Sequence, residues 1–299
     1  MKPLHIARLL VLSALCFCCI PSVHAARAME HVFIHNGPES ADDKRYAYHW
    51  RVLKAALDIT RFKYGAYQIK SAKSMTESRQ VIEMTSDRGL INTMVLDSTD
   101  DLEKRLYPVK IPIDKGLIGY RVFLIRAEDQ PKFSRVASLE DLKQFTVGQG
   151  ADWSDVSIYK AAGFNVTPAS TYESLFPMLM FGRFDAIGRG VNEVADEMIT
   201  FGNKFPDMMI ENQLMLYYPL PMYFFFPKTD NGLLRAKRVE EGMRLLIKNG
   251  TLDQMFRAEF SKVLASLNLK QRKLFKIPNP RLTTPQPYDQ AEFWFNPAQ

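Results

Sequence analysis

The chain has 299 residues, 46 % of them apolar and 24 % charged, with a formal net charge of +6. That balance is ordinary for a globular protein and excludes collagen, coiled-coil and low-complexity classes. A polytopic membrane protein is excluded too, because the one long apolar run, Leu9 to Ile20, sits at the N-terminus.

That run follows Lys2 and Arg8 and precedes Val23-His24-Ala25, the pattern of a secretory signal peptide over residues 1–25. Its apolar core of about 12 residues is too short to span a bilayer. Cys16, Cys18 and Cys19 are the only cysteines and all lie within it, so the mature chain carries no thiol, as suits an oxidising compartment. Cleavage after Ala25 removes Lys2 and Arg8 and no acid, which lowers the net charge by two. The remainder is mildly basic without a Lys/Arg cluster, so nucleic acid is not an expected partner.

In the mature chain, Val32-Phe33-Ile34 predicts a strand, and Trp50, Leu53 and Leu57 predict a helix over Tyr46 to Thr60. Tyr67-Gln68-Ile69 predicts a second strand. Ser74 with Glu77 forms a capping-box pattern opening a helix through Met84, and Leu90 to Leu96 predicts a buried third strand. This β-α-β-α-β order is the sequence form of a parallel sheet covered by helices.

After a polar, proline-bearing break from Asp97 to Lys115, Tyr120 to Ile125 is an apolar strand and the α/β pattern restarts. Ser138 caps Leu139 to Leu142, Phe145-Thr146-Val147 leads into Gly148-Gln149-Gly150, and Asp152 opens a helix ending at Gly163. Phe164 to Thr167, Phe184 to Ile187 and Met208 to Ile210 predict short strands. Ser170 with Glu173 predicts a capping box before a helix carrying Tyr172, Leu175, Phe176 and Leu179. Met222 to Phe226 is a second long apolar strand. Two helices follow, one striped by Ala236, Val239, Met243 and Leu246, the next boxed by Thr251 and Gln254. Beyond Ile277 the prolines predict a tail laid over the surface.

Several chemistries fail for want of their motifs. The chain has no G-x-S-x-G, H-E-x-x-H, Walker A or complete G-x-G-x-x-G pattern. His31 and His35 on one strand would stand about 13 Å apart, too far to share a metal. Glu173 with Asp185, or Glu193 with Glu197, could suit a glycosidase, but capping and a solvated helix face account for them. The chain reads as one that binds rather than reacts, with no cofactor and no metal.

Three stretches carry a resemblance. They are Ser138-Leu139-Glu140-Asp141-Leu142-Lys143 leading into Thr146 to Gly150, then Phe181-Gly182-Arg183-Phe184-Asp185-Ala186, and Leu233 to Phe256 with Lys248-Asn249-Gly250-Thr251. In this order the chain resembles the type II periplasmic solute-binding proteins, in the amino-acid-binding branch (extracellular solute-binding protein family 3). The resemblance implies a two-lobed α/β fold whose doubly wound sheets are joined by two crossover hinge strands, Tyr120 to Ile125 and Met222 to Phe226. Lobe 1 would hold residues 26–120 and 225–299, lobe 2 residues 121–224. The implied protein is a monomeric periplasmic receptor that closes on a small polar, carboxylate-bearing solute. It presents that solute to an ABC permease and meets the membrane only through that partner. A sensory module without transport, or a hydrolase, are the alternatives.

By the same resemblance Arg105 takes the ligand carboxylate, a role that suits the guanidinium fork. The helix start at Gly150 to Trp153 adds backbone N–H groups, with Asp152 as its N-cap. Where the family presents an acid for the ligand ammonium, this chain has Arg189 followed by Glu193, so either Glu193 takes the ammonium or Arg189 binds a second acidic group. Trp153, Tyr120 and Tyr172 are candidate cleft aromatics, although Tyr172 also fits the core. His35 is a further candidate, because it ends the first strand on the side where open sheets bind ligands.

Overall fold

The computed structural model describes residues 31–40, 43–86 and 89–297. The signal peptide expected at residues 1–25 lies outside the described residues. These hold twelve strands in chain order: β1 (His31–His35), β2 (Tyr67–Ser71), β3 (Met94–Asp97), β4 (Leu106–Val109), β5 (Tyr120–Arg126), β6 (Thr146–Gly150), β7 (Asn165–Ala169), β8 (Ala186–Gly190), β9 (Met208–Ile210), β10 (Leu214–Tyr217), β11 (Met222–Pro227) and β12 (Lys273–Lys276).

The strands fall into two groups. In the first, β1 and β2 pair in parallel, and β11 lies antiparallel between β3 and β4. Asn92 joins these pieces, its Oδ1 accepting from Ile34 N at 2.8 Å and its Nδ2 donating to Val32 O at 3.0 Å. In the second group the order is β12-β10-β5-β8-β6-β7, with β9 also against β5. β6 runs parallel to β7 and β8, and β5 antiparallel to β8. Val122 to Ile125 of β5 and Phe224 to Phe226 of β11 are fully buried, which is why both strands read as unbroken apolar runs.

β5 and β11 were expected to cross between lobes, but each lies wholly within one group. The chain passes between the groups at residues 110–119 and 218–221, which run side by side, Tyr218 N donating to Gly119 O at 3.2 Å. Pro112, Pro219 and Pro221 lie in these segments and cannot donate to a ladder, whereas a central strand needs its donors. The tail departs further from expectation. β12 pairs in parallel with β10 in the second group, and the chain then returns alongside the second connection, Asn279 Nδ2 donating to Pro219 O at 2.9 Å. The polypeptide therefore passes between the groups four times, the last when the tail returns to Asp100 of the first group.

Helix Ala47–Ile59 buries Val52, Leu53, Ala56 and Leu57 against helix Asp230–Lys248, which turns Ala236, Val239 and Met243 inward. A Cβ on Gly242 would stand 2.3 Å from Ala56 O, so only glycine permits this approach. Ser138 caps Leu139–Leu142, as the sequence predicts, and does so in a capping box with Asp141. The other caps differ. Thr76 rather than Ser74 caps Glu77–Met84, and Trp153 rather than Asp152 precedes Ser154–Ala161. Ser174 precedes Leu175–Met180 and Gly250 precedes Thr251–Leu267, neither with a side-chain cap. Among the described residues no helix is long and apolar enough to cross a membrane, and no cluster of His, Cys, Asp and Glu could hold a metal.

Candidate functional site

A cavity opens where the two groups face each other. Arg45, Tyr46, Glu77, Leu96, Asp97 and Met222 line it from the first group. Arg121, Trp153, Ser154, Asp155, Arg189 and Glu193 line it from the second, and Ile118 and Leu220 come from the connections. It offers water about 40 Å³. An adjoining cavity of about 340 Å³ shares Glu77, Leu96, Asp97 and Ser154 and extends past Val81 and Ile82 to Arg105 and Arg281. That size falls in the range of small-molecule sites.

The fold explains why polar groups converge here. Asp97 ends β3, Trp153 and Ser154 follow β6, and Arg189 with Glu193 lie at the end of β8. These are C-terminal strand ends, the side on which open α/β sheets place ligands. Glu77 begins helix Glu77–Met84 and, with Thr76 doing the capping, is left to face the cavity.

The second-group wall is an alternating chain of charge. Asp155 meets Arg121 at 2.8 Å, and Arg121 reaches Glu193 at 3.5 Å. Glu193 meets Arg189 at 3.1 Å, and Arg189 meets Glu197 at 2.7 Å. Tyr172 donates its hydroxyl to Glu197 at 3.2 Å. Sharing each charge between partners offsets the desolvation that buried ions suffer. Burial alone would raise the Glu193 carboxyl, but Arg189 and Arg121 outweigh it and hold the group below its usual range. Burial keeps that of Glu197 above it.

The first-group wall has no such balance. Glu77 and Asp97 form no ion pair among the described residues, and the nearest partner of Glu77 is the Tyr46 hydroxyl at 3.5 Å. Burial, and then the charge of Asp97, push the Glu77 carboxyl up to about 8. Burial also raises Asp97, against a hydrogen bond from the Ser154 hydroxyl. Its Oδ2 is buried without a partner among the described residues. Arg45 pairs away from both acids, with Asp43 at 2.8 Å and Glu39 at 2.7 Å. Its guanidinium crosses the cleft to stand 4.3 Å from the ring centre of Tyr172, while Arg189 stands 4.6 Å from that of Trp153.

Of the residues singled out from sequence, Arg189, Trp153 and Glu193 come together in the first cavity. The others do not join them. Arg105 is exposed and pairs with Asp101 at 3.0 Å, reaching only the neighbouring cavity. His35 stacks on Trp50 at 4.0 Å, and Tyr120 packs on Tyr217 at 4.6 Å beside the first connection. Glu193 and Glu197, expected on a solvated face, are buried around Arg189 instead. Sequence reasoning missed Arg45, Glu77, Asp97, Arg121 and Asp155. Arg121 had a signal, as the lone cation inside the apolar run Tyr120 to Ile125, and Asp97 another, as an acid ending an apolar strand.

No protein-family model matches this sequence, and no curated protein matches it. Solved structures do. A mutant arginine-binding protein from T. maritima is 18 % identical over 77 % of this chain and 95 % of its own, with a TM-score of 0.54. An ancestral arginine-binding protein bound to arginine is 18 % identical, over 78 % of this chain and 99 % of its own, with a TM-score of 0.57. A histidine kinase sensor domain with similarity to periplasmic binding proteins is 15 % identical, over 78 % and 96 %, with a TM-score of 0.57. The similarity spans more than three quarters of this chain and nearly all of each neighbour: the chain has the type II periplasmic solute-binding-protein fold.

Proposed function

We propose that this protein is an exported periplasmic receptor whose two lobes close on a small solute carrying an ammonium or guanidinium group. The observation that carries this reading is the pair Glu77 and Asp97, two carboxylates facing the cleft, which burial holds above their usual range although Arg45 acts on the first and Arg281 on the second, neither within ion-pair distance among the described residues. A buried carboxylate is retained where a positive group meets it, because burial alone drives it to take up a proton. The expectation of an anion held between Arg105 and Arg189 loses its support. Arg105 lines only the adjoining cavity and is paired with Asp101, and Arg189 is already matched by Glu193 and Glu197.

The moving lobes are the β1–β4 and β11 group and the β5–β10 group, with the connections at 110–119 and 218–221 as hinge. Closure then follows from the ligand's better contacts with the closed form. Neighbours of this fold are described as binding arginine, one as serving an amino acid ABC transporter and one as a kinase sensor domain. Delivery to an ABC importer and ligand sensing both use this chemistry.

A thermal-shift screen of amino acids, polyamines and dicarboxylates tests the reading. Compounds with a positive group should raise the unfolding temperature. At 100 times its Kd a ligand adds about 2.7 kcal/mol of stability, and no turnover should accompany it. Stabilisation by dicarboxylates alone would overturn the proposal.

A further inference from the structure

The end of the first strand group away from the cleft has a surface of its own. β1 runs toward the cleft, for Asn36 just beyond it is hydrogen-bonded to Met75, two residues before Glu77. His31 and Tyr67, which begin β1 and β2 side by side, therefore mark the opposite end. Helix Ala47–Ile59 starts beside Tyr46 at the cleft, runs out to this end and is followed by the short helix Arg61–Tyr64. Helix Asp230–Lys248 starts here, Arg238 donating to Gly65 O at 2.9 Å. Three large apolar side chains at this end are left outside the core. Phe62 is fully exposed, Ile59 precedes it by one helical turn, and Leu234 lies one turn before Arg238.

Cations surround these three. Lys63 pairs with Glu241 at 2.7 Å, and Lys54 with Asp58 at 2.6 Å. Arg61, Lys237 and Lys248 are exposed and make no ion pair among the described residues, Arg61 acting on Asp58 only at longer range. Lys237 and Lys248 share the helix face of Glu241, so their charges lie beside those of the short helix. Burial, and then the charges of Arg238 and Arg235, hold the His31 imidazole below its usual range, a further mark of positive potential here.

An apolar tip ringed by long cationic side chains matches a lipid headgroup layer, where apolar groups enter and charged heads stay at the level of the phosphates. The path of the chain points the same way. His31 N donates to Ala66 O at 3.3 Å, so the polypeptide that carries the apolar run Leu9 to Ile20 joins the lobe at this same end. We propose that this end of the first lobe docks on an anionic lipid surface, with Phe62 in the headgroup layer and Arg61, Lys237 and Lys248 against lipid phosphates. The resemblance implied contact with the membrane only through a partner, whereas here the contact is direct. A protein partner would need a pocket shaped to the protruding ring, and lipid needs none. The cleft lies at the other end of the strands, so ligand binding and lipid docking are independent.

The test is co-sedimentation of the exported protein with vesicles of phosphatidylcholine alone and with about one third phosphatidylglycerol. Wild type should bind the anionic vesicles and not the neutral ones. Salt at about 1 M should release it, because charges are then screened within about 3 Å. Phe62→Ala should lose about 10-fold in vesicle affinity, and Arg61→Ala with Lys237→Ala about 30-fold. Lys160→Ala, on the second lobe, should change nothing. All four positions are exposed, so unfolding temperatures should stay those of wild type. If wild type ignores anionic vesicles, or if the Phe62 and Arg61–Lys237 variants bind them as well as wild type does, the inference fails and the receptor reading stands. Self-association of wild type without lipid, abolished by Phe62→Ala, would assign this face to a second copy of the chain and overturn the inference equally.

Discussion

Arg121 Nη2 lies 2.8 Å from Asp155 Oδ1, and that oxygen also accepts the hydroxyl of Tyr218. The contact ties β5 to the helix after β6 and to the second connection, so the hinge is bonded to the wall of the site. Removing Arg121 leaves Asp155 buried without its cation. Arg121→Met should destabilise the protein by about 3–5 kcal/mol in urea unfolding, and the double variant Arg121→Met with Asp155→Leu should recover part of that loss. A neutral single variant would show that the pair carries no structural weight.

Glu77 and Asp97 should matter for binding more than for folding. Glu77→Gln and Asp97→Asn keep the shape of the side chain and remove its charge. Each should weaken an amine or basic amino-acid ligand by about 10- to 100-fold in calorimetry while far-UV dichroism stays unchanged. Unaltered affinity in both would place the positive group elsewhere.

Glu77 also sets a pH dependence. Its ordinary value is 4.5, and burial raises it to about 8 in the folded chain. Between those values the unfolded chain has lost a proton that the folded chain keeps. Stability therefore falls as pH rises through that window. Thermal unfolding across it should show this component, and Glu77→Gln should flatten it. Cation binding favours the ionised carboxylate, so ligand affinity should rise with pH over the same interval. Titrations in two buffers of different ionisation enthalpy should detect the released proton.

Gly242 is a packing test independent of ligand. Its missing Cβ lets helix Asp230–Lys248 approach within contact of the Ala56 backbone, and backbone cannot swing aside. Gly242→Ala should cost about 1–3 kcal/mol despite the better helix propensity of alanine. A gain in stability would mean that the two helices part readily.

Much of the fold was legible because burial and periodicity leave local marks. The stripes of Ala47–Ile59 and Asp230–Lys248, the apolar runs of β5 and β11, and the Ser138 cap are each written within a few residues. β4 was hidden by Pro108, which it tolerates because it pairs only with β11, at the edge. β12 has no local signal that sets it apart from a surface tail, since its partner β10 is far back in the sequence. Arg105 was placed by its position in the chain, but its short helix sets it beside Asp101 at the adjoining cavity, away from Arg189.

The sequence by itself determined the order of the strongly patterned strands and helices, because hydrophobic spacing is a property of neighbours along the chain. Tertiary structure alone decided which charges meet, for the contact of Arg121 with Glu193 spans 72 residues and that of Arg281 with Ser154 spans 127. No periodicity records such a distance. Only the folding of two strand groups against each other, with the tail drawn back to the first, leaves Glu77 and Asp97 without an ion pair among the described residues and brings Arg281 to the cavity they line.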